Sequence, residues 1–209
     1  MNKYILPLCV FFLLIANRGQ SQEEDEVLYA RAGFKTGVNY SNLTGDISNP
    51  EGRVRMHLGA VIEFPIVNRF FAQLELFYSA QGAIVDIATV ENKISLNYLS
   101  LPIISKYYIT ENISLETGPQ FSLLSTAKNS ATEDADNDFF DQVNSFDFSW
   151  GVGASYRLES GLFFQGRYVL GLTNINKESV TPSNDKNSVI QLSVGYLFKT
   201  KNNRRRDLE

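Results

Sequence analysis

Ten charged residues occupy alternate positions within segments that are otherwise rich in apolar residues, and they offer the most obvious chemistry in the chain. They are six basic and four acidic residues: Arg31, Lys35, Arg53, Arg55, Arg157, Arg167, Glu63, Glu75, Glu116 and Asp147. Alternate residues of a β-strand point to the same face, so we expect all ten to share one face. Enclosed charges persist when they are paired and hydrogen-bonded. The pattern therefore predicts an interior salt-bridge network, and a polar conduit gated by the same pairs is the alternative.

His57 is the only histidine in the chain, so it is the single candidate for a histidine general base. Together with a serine nucleophile, a histidine can support acyl-transfer chemistry. By strand alternation, however, His57 shares its face with Arg53 and Glu63, and no spacing in the sequence indicates a nucleophile beside it. We therefore interpret His57 as structural and predict no catalytic residues and no enzyme activity.

A run of acidic residues with two phenylalanines lies between the alternating segments at 113–123 and 146–158. Its members are Asp134, Asp136, Asp138, Phe139, Phe140 and Asp141. The aspartate spacing resembles an EF-hand loop, but Phe139 stands where that loop needs glycine and Ser145 where it needs glutamate. We predict neither a metal site nor a cofactor, and a solvated acidic loop is the plainest interpretation. Because exposed phenylalanines are costly in water, we expect this loop to bind a basic or metal-bridged partner, or its rings to fold back onto the rim.

The overall composition excludes several classes of function. With 19 basic and 23 acidic residues the formal net charge is −4. Nucleic-acid binding needs a basic face, so we expect no nucleic-acid partner. The only cysteine is Cys9, which argues against disulfides and cysteine-ligated metals. The 15 Phe and 10 Tyr residues favour β-strands over bundled helices.

Eight segments alternate apolar with polar or small residues, which is the period of a half-buried β-strand. They cover residues 31–40, 53–64, 72–81, 93–109, 113–123, 146–158, 162–173 and 188–198. The fourth is apolar on both sides, so its facing is ambiguous. Longer polar connections at 42–52, 126–145 and 174–187 and a hairpin near 83–93 contrast with short turns at 65–69, 110–112 and 159–161. This asymmetry predicts an all-β fold, an eight-stranded antiparallel up-and-down transmembrane β-barrel.

A water-soluble barrel or sandwich would also alternate, with its apolar face inward. Glycines on the polar face argue against it, because each costs about 0.5–1 kcal/mol relative to alanine in an ordinary strand. In a narrow barrel, small residues beside long charged side chains let the interior fill without voids. The polar face is therefore predicted to be the inside.

The N-terminus has the form of a secretory signal peptide. Lys3 precedes an apolar run over residues 4–16, and the small residues Gly19 and Ser21 precede an acidic segment. The run is shorter than the roughly 20 residues that a membrane-spanning helix needs. We predict a signal peptide over 1–21, an N-terminal lead over 22–27, the barrel over 28–198 and a basic C-terminal tail over 199–209.

Several short motifs follow one another along the strands. They are Gly33–Ser41, Glu75–Ser79 followed by Gly82, Tyr98–Pro102, Gly118-Pro119, Gly151–Gly153 and Arg167–Ile175. Over residues 28–198 the chain resembles the outer-membrane β-barrel domain family of small barrels labelled porin family or PorT-like. The resemblance implies an eight-stranded barrel in a Gram-negative outer membrane and brings no catalytic residues. It also implies that Phe198, as the terminal aromatic residue, signals to the barrel-assembly machinery, although this chain continues beyond it.

Three classes of function fit these observations. The leading one is a non-enzymatic outer-membrane barrel with a structural or loop-mediated binding role at the cell surface. A narrow porin-like channel and an accessory of an envelope assembly or secretion machine are the alternatives. After cleavage of the signal peptide, we expect contact with outer-membrane lipid and lipopolysaccharide, and with a surface or envelope partner that the sequence does not identify.

Overall fold

A computed structural model describes residues 30–47, 50–87, 90–129, 136–177 and 183–199. For 86–87, 90–91, 136–138 and 199 it describes the backbone alone. The predicted signal peptide and N-terminal lead, Asp134 and the tail from position 200 onward lie outside the described residues.

Eight antiparallel strands close into a barrel, because each strand pairs with its sequence neighbours and β1 also pairs with β8. The elements are β1 (Arg31–Gly45), β2 (Glu51–Val67), β3 (Phe70–Ile87), β4 (Val90–Tyr108), β5 (Ile113–Asn129), α1 (Asp136–Gln142), β6 (Phe146–Arg157), β7 (Leu162–Gly171) and β8 (Asp185–Lys199). The predicted eight-stranded up-and-down barrel is confirmed. We call the end with the β2–β3, β4–β5 and β6–β7 turns the turn end and the opposite end the loop end.

The side chains alternate between the interior and the outer wall. On β2, exposed Leu58 follows buried His57, and on β8, exposed Leu192 follows buried Gln191. The outer wall is therefore apolar and the interior polar, which is the reverse of a water-soluble barrel and suits a wall that faces lipid. Among the described helices, none is long and apolar enough to cross a membrane.

The strands extend further toward the loop end than the sequence pattern predicts. Residues 42–45 and 51–52, expected in a connection, belong to β1 and β2, and the expected hairpin near 83–93 is mostly strand. The connection expected at 126–145 starts only after Asn129 and contains α1. Backbone hydrogen bonds do not depend on apolar side chains, so the ladder continues where apolar alternation has ended.

Candidate functional site

One carboxylate organises the interior at the turn end. Oε1 of Glu63 lies 2.5 Å from Nη1 of Arg31 and 3.4 Å from Nη1 of Arg157. Its Oε2 lies 3.0 Å from Nζ of Lys106, and the hydroxyl of Tyr108 donates to the same oxygen at 3.1 Å. Three cations and a phenol therefore satisfy a fully buried carboxylate, which burial would otherwise strongly disfavour.

A second charged group lies one layer further into the barrel. Arg167 donates to both carboxylate oxygens of Glu75, at 2.7 and 3.1 Å, and Lys35 Nζ lies 2.6 Å from the same carboxylate. Arg167 also donates through Nε to Glu116 at 3.2 Å, and Gln165 donates to Glu116 at 3.0 Å. The two-pronged contact fixes the guanidinium in one orientation, so these side chains fill the cross-section with a set geometry.

Gln73 joins the two layers. Its Oε1 accepts a hydrogen bond from Lys106 at 3.0 Å, and its Nε2 donates to Glu75. We call the connected set the ionic zone; it consists of Arg31, Lys35, Glu63, Gln73, Glu75, Lys106, Tyr108, Glu116, Arg157, Gln165 and Arg167. Among the described side chains it draws on every strand except β8.

The ionic zone contains seven of the ten charged residues predicted to face inward: Arg31, Lys35, Glu63, Glu75, Glu116, Arg157 and Arg167. Lys106 also belongs to the ionic zone, and the sequence pattern does not identify it because its segment is apolar on both sides. From Tyr98 to the end of β4, the buried residues are Tyr98, Ser100, Pro102, Ile104, Lys106 and Tyr108. Lys106 alternates with exposed Tyr107 and shares the face of Tyr108, but the sequence does not show which of the two tyrosines faces inward.

His57 lies above the ionic zone, toward the loop end. Its Nδ1 is 2.8 Å from Oδ1 of Asn39, and its Nε2 is 2.8 Å from Oγ of Ser193. A serine, a histidine and an orienting amide are the parts of a hydrolytic triad. However, His57 is 1% exposed and Ser193 7%, so a substrate has no surface on which to meet them. The contacts support the interpretation of His57 as structural.

The loop end of the interior is apolar. Its buried members are Leu43, Ala83, Leu96, Tyr98, Leu124, Ala127, Val143 and Ile175, and Ile47, Ile94, Phe139 and Phe140 pack against them. We call these twelve residues the apolar cap. Asn144 fastens two of the loop-end connections together by donating to the carbonyls of Asn174 and Asn176, each at 2.9 Å. The cap therefore covers the polar interior with residues from strand ends, connections and α1.

The predicted exposed aromatic pair belongs to this cap. Phe139 and Phe140 lie on α1, are half-buried and pack against the buried cluster, which agrees with the alternative in which the rings fold back onto the rim. A short amphipathic helix turns the rings inward, which the sequence pattern does not reveal. Asp141 is exposed, Asp136 and Asp138 have only their backbone described, and Asp134 lies outside the described residues. Partner binding by these residues stays a prediction.

Asp147 is buried but does not join the ionic zone. Its Oδ1 accepts a hydrogen bond from Oγ1 of Thr173 at 2.9 Å, close to the apolar cap. It therefore holds the start of β6 against the segment after β7 and does not neutralise an interior cation.

The prediction that Arg53 and Arg55 face the interior is wrong. A β-bulge on β2 sets residues 53–56 against 80–82 of β3, one residue more on β2 than on β3. Nη1 of Arg53 donates to Oγ of Ser95 at 2.9 Å, and Nη2 of Arg55 donates to Oδ1 of Asn97 at 3.1 Å. These acceptors alternate with interior-facing residues on β4, so both guanidinium groups lie on the outer wall. At the bulge β2 separates from β3 while it stays paired with β1. The two side chains therefore lie over the outer face of β3 and β4, which strict alternation does not predict.

The described residues contain no group of three or more His, Cys, Asp or Glu side chains placed to hold a metal ion. The carboxylates of Glu63, Glu75 and Glu116 contact cations, amides and a phenol, and that of Asp147 accepts from a hydroxyl. These carboxylates therefore have a structural role, because their ion pairs and hydrogen bonds fill the interior and fix the positions of the strands around it.

Comparison with known proteins agrees with this architecture. Neisserial surface protein A has a similar solved structure, with 10% identity, a TM-score of 0.52, and coverage of 80% of this chain and 97% of that one. Ail, the attachment invasion locus protein of Yersinia pestis, solved with the heparin analogue sucrose octasulfate, has 16% identity, a TM-score of 0.50, and coverage of 82% and 100%. At these identities the likeness concerns the fold alone, and no curated protein matches the chain.

A family model described as outer membrane protein beta-barrel domain matches residues 20–177, which is well over half of the chain. The match, the closed barrel and the apolar outer wall agree with one another. The chain belongs to the outer membrane protein beta-barrel domain family.

Proposed function

We propose that this protein is a non-enzymatic, non-conducting barrel of a Gram-negative outer membrane that works through its loop end at the cell surface. The observation that carries the proposal is the double closure of the interior, by the ionic zone at the turn end and by the apolar cap at the loop end. An eight-stranded barrel has an interior only wide enough for side chains, and here those side chains bond to one another.

In this proposal the turn end, where β1 begins and β8 ends, faces the periplasm and the longer connections face outward, as in barrels of this kind. Export requires cleavage of the signal peptide over residues 1–21. Phe198 is 54% exposed on the outer wall, where its ring centroid is 4.7 Å from that of Tyr196. This exposure supports a role for Phe198 in recognition by the barrel-assembly machinery. Lipid and lipopolysaccharide surround the wall, and a surface or envelope partner meets the loops.

Electrical recording of the folded protein in a planar lipid bilayer tests the closure. We expect no stable conductance, because a passing ion would have to separate paired charges and then enter an apolar layer. A porin inserted in the same bilayer serves as the positive control, and heat-modifiable migration on a gel shows that the barrel is folded. Reproducible single-channel steps would contradict the proposal and favour the narrow-channel alternative.

A further inference from the structure

The bulge on β2 changes how three strands share their hydrogen bonds. Opposite the bulge, Asn39 donates through Nδ2 to the carbonyl of Ala80 at 2.8 Å, and Oγ of Ser41 donates to the carbonyl of Gly82 at 2.8 Å. Side chains of β1 thus satisfy backbone groups of β3 that would otherwise pair with β2. At that level β2 leaves the β2–β3 ladder, while Arg53 and Arg55 stay paired with Ser41 and Asn39 of β1. Both side chains reach β4.

The two arginines lie across the outer face of β3. Ala80 and Gly82 alternate with interior-facing Ser79 and Gln81, yet they are buried. Arg53 donates to the carbonyl of Ile94 at 2.8 Å, beyond β3 as seen from β2. Side chains that run from β2 to β4 outside the wall therefore account for the burial of these small outward residues.

The guanidinium groups of Arg53 and Arg55 lie where the apolar outer wall ends on the side of the loop end. On β4 the exposed Leu99, Leu101 and Ile103 give way toward the loop end to Asn97, Ser95 and Lys93, which are polar. On β5 the exposed Leu123 gives way in the same direction to Ser125, Thr126 and Lys128. The arginines bond within this polar strip, while Val54 and Met56 beside them are 69% and 68% exposed. Cationic groups thus lie next to an apolar surface. A lipid would contact the cations through its headgroup and the apolar surface through its acyl chains.

The arginine pair differs from the interior cations in its partners. Every basic residue of the ionic zone contacts a carboxylate, whereas the acceptors of Arg53 and Arg55 are a carbonyl, a hydroxyl and an amide. Among the described side chains no carboxylate forms an ion pair with either guanidinium; Glu51, on the same strand, is exposed. Each guanidinium carries five donors, so donors remain for a further acceptor.

We propose that Arg53 and Arg55 form a binding site for the phosphate group of an outer-leaflet lipid, of the kind that lipopolysaccharide presents. Guanidinium groups bind phosphate through paired, charge-assisted hydrogen bonds, and acyl chains of the same lipid cover Val54 and Met56. The proposal rests on the membrane placement and orientation proposed above and names the residues of its lipid contact.

Native mass spectrometry of the folded barrel in detergent tests the site, with bisphosphorylated lipid A as the probe. The variant Arg53→Gln/Arg55→Gln is expected to bind this lipid at least about tenfold more weakly than the wild type, because it loses charge-assisted hydrogen bonds. Arg53→Lys/Arg55→Lys, which keeps the charge and loses the planar donors, should bind with intermediate affinity. The variant Lys177→Gln/Lys186→Gln removes two charges from the same end on the β7–β8 side and should bind like the wild type.

The wild type itself supplies further arms of the test. Lipid A stripped of its phosphates should bind at least about tenfold more weakly than the phosphorylated form. Three outcomes would each overturn the proposal. They are equal binding of the two lipids, an equal loss of lipid binding in Arg53→Gln/Arg55→Gln and in Lys177→Gln/Lys186→Gln, and binding of inorganic phosphate without lipid. The wild-type comparison decides the matter even if the glutamine variant does not fold. Because it is made in detergent, it is also independent of the conductance test of the closed interior.

Discussion

The ionic zone and the apolar cap close the same barrel by opposite means. The ionic zone consists of strand residues whose buried charges each have named partners, so its geometry is set atom by atom. The cap consists of apolar side chains from strand ends, connections and α1, which exclude water without a fixed pairing pattern. The contrast shows that closure at the turn end depends on individual partners and closure at the loop end on summed apolar area.

This difference predicts different responses to substitution. Removing one member of a buried ion pair leaves an uncompensated charge and costs far more than the intact pair contributes. Removing an apolar side chain costs in proportion to the area it buries. Three variants, in decreasing order of expected effect, test the contrast through the free energy of unfolding, measured by urea titration of the folded barrel in vesicles.

The largest effect is expected for Glu75→Ala. Without this carboxylate, Lys35 and Arg167 remain buried with only Glu116 to share, so the free energy of unfolding should fall by about 3–5 kcal/mol. Glu51→Ala, at an exposed position on β2, is the control and should change it by less than about 0.5 kcal/mol. Similar results for the two variants would show that the ionic zone is not set by its individual partners.

An intermediate effect is expected for Phe139→Ser/Phe140→Ser. Both rings are half-buried, so their combined loss should lower the free energy of unfolding by about 2 kcal/mol. Hydrogen exchange should increase at the loop ends of β4 and β5 and stay unchanged around Glu63 and Glu75. Asp141→Ser, on the same helix and exposed, should leave both measurements unaltered. Faster exchange throughout the interior would show instead that the cap and the ionic zone unfold as one unit.

The smallest effect is expected for Arg31→Gln. Arg31 is partly exposed, and Glu63 keeps Lys106 and Arg157 as partners after its loss. The free energy of unfolding should fall by about 1 kcal/mol or less, as for ion pairs in contact with solvent. A loss as large as that of Glu75→Ala would show that the edge of the ionic zone is as tightly determined as its centre.

Strand alternation predicts the fold and most of the ionic zone because both depend on which face a residue occupies. Lys35 and Glu75 are examples, since each lies in a segment with one clearly apolar side. Alternation fails for Lys106, whose segment is apolar on both sides, and for Arg53 and Arg55, which a bulge turns outward. It also fails for the apolar cap, because the direction of Phe139 and Phe140 depends on how α1 docks, and no period in the sequence encodes that.

The absence of described β8 side chains from the ionic zone has a consequence for the order of assembly. Among the described side chains the charged partners come from β1 to β7, so these ion pairs can form before the last strand is added. The inner face of β8 offers small or apolar groups there: Gly195 leaves room for the ring of Phe163, and Leu197 joins Phe163 and Val61 in a separate buried cluster. The final strand can therefore dock against β1 through backbone hydrogen bonds, without separating charges that have already met.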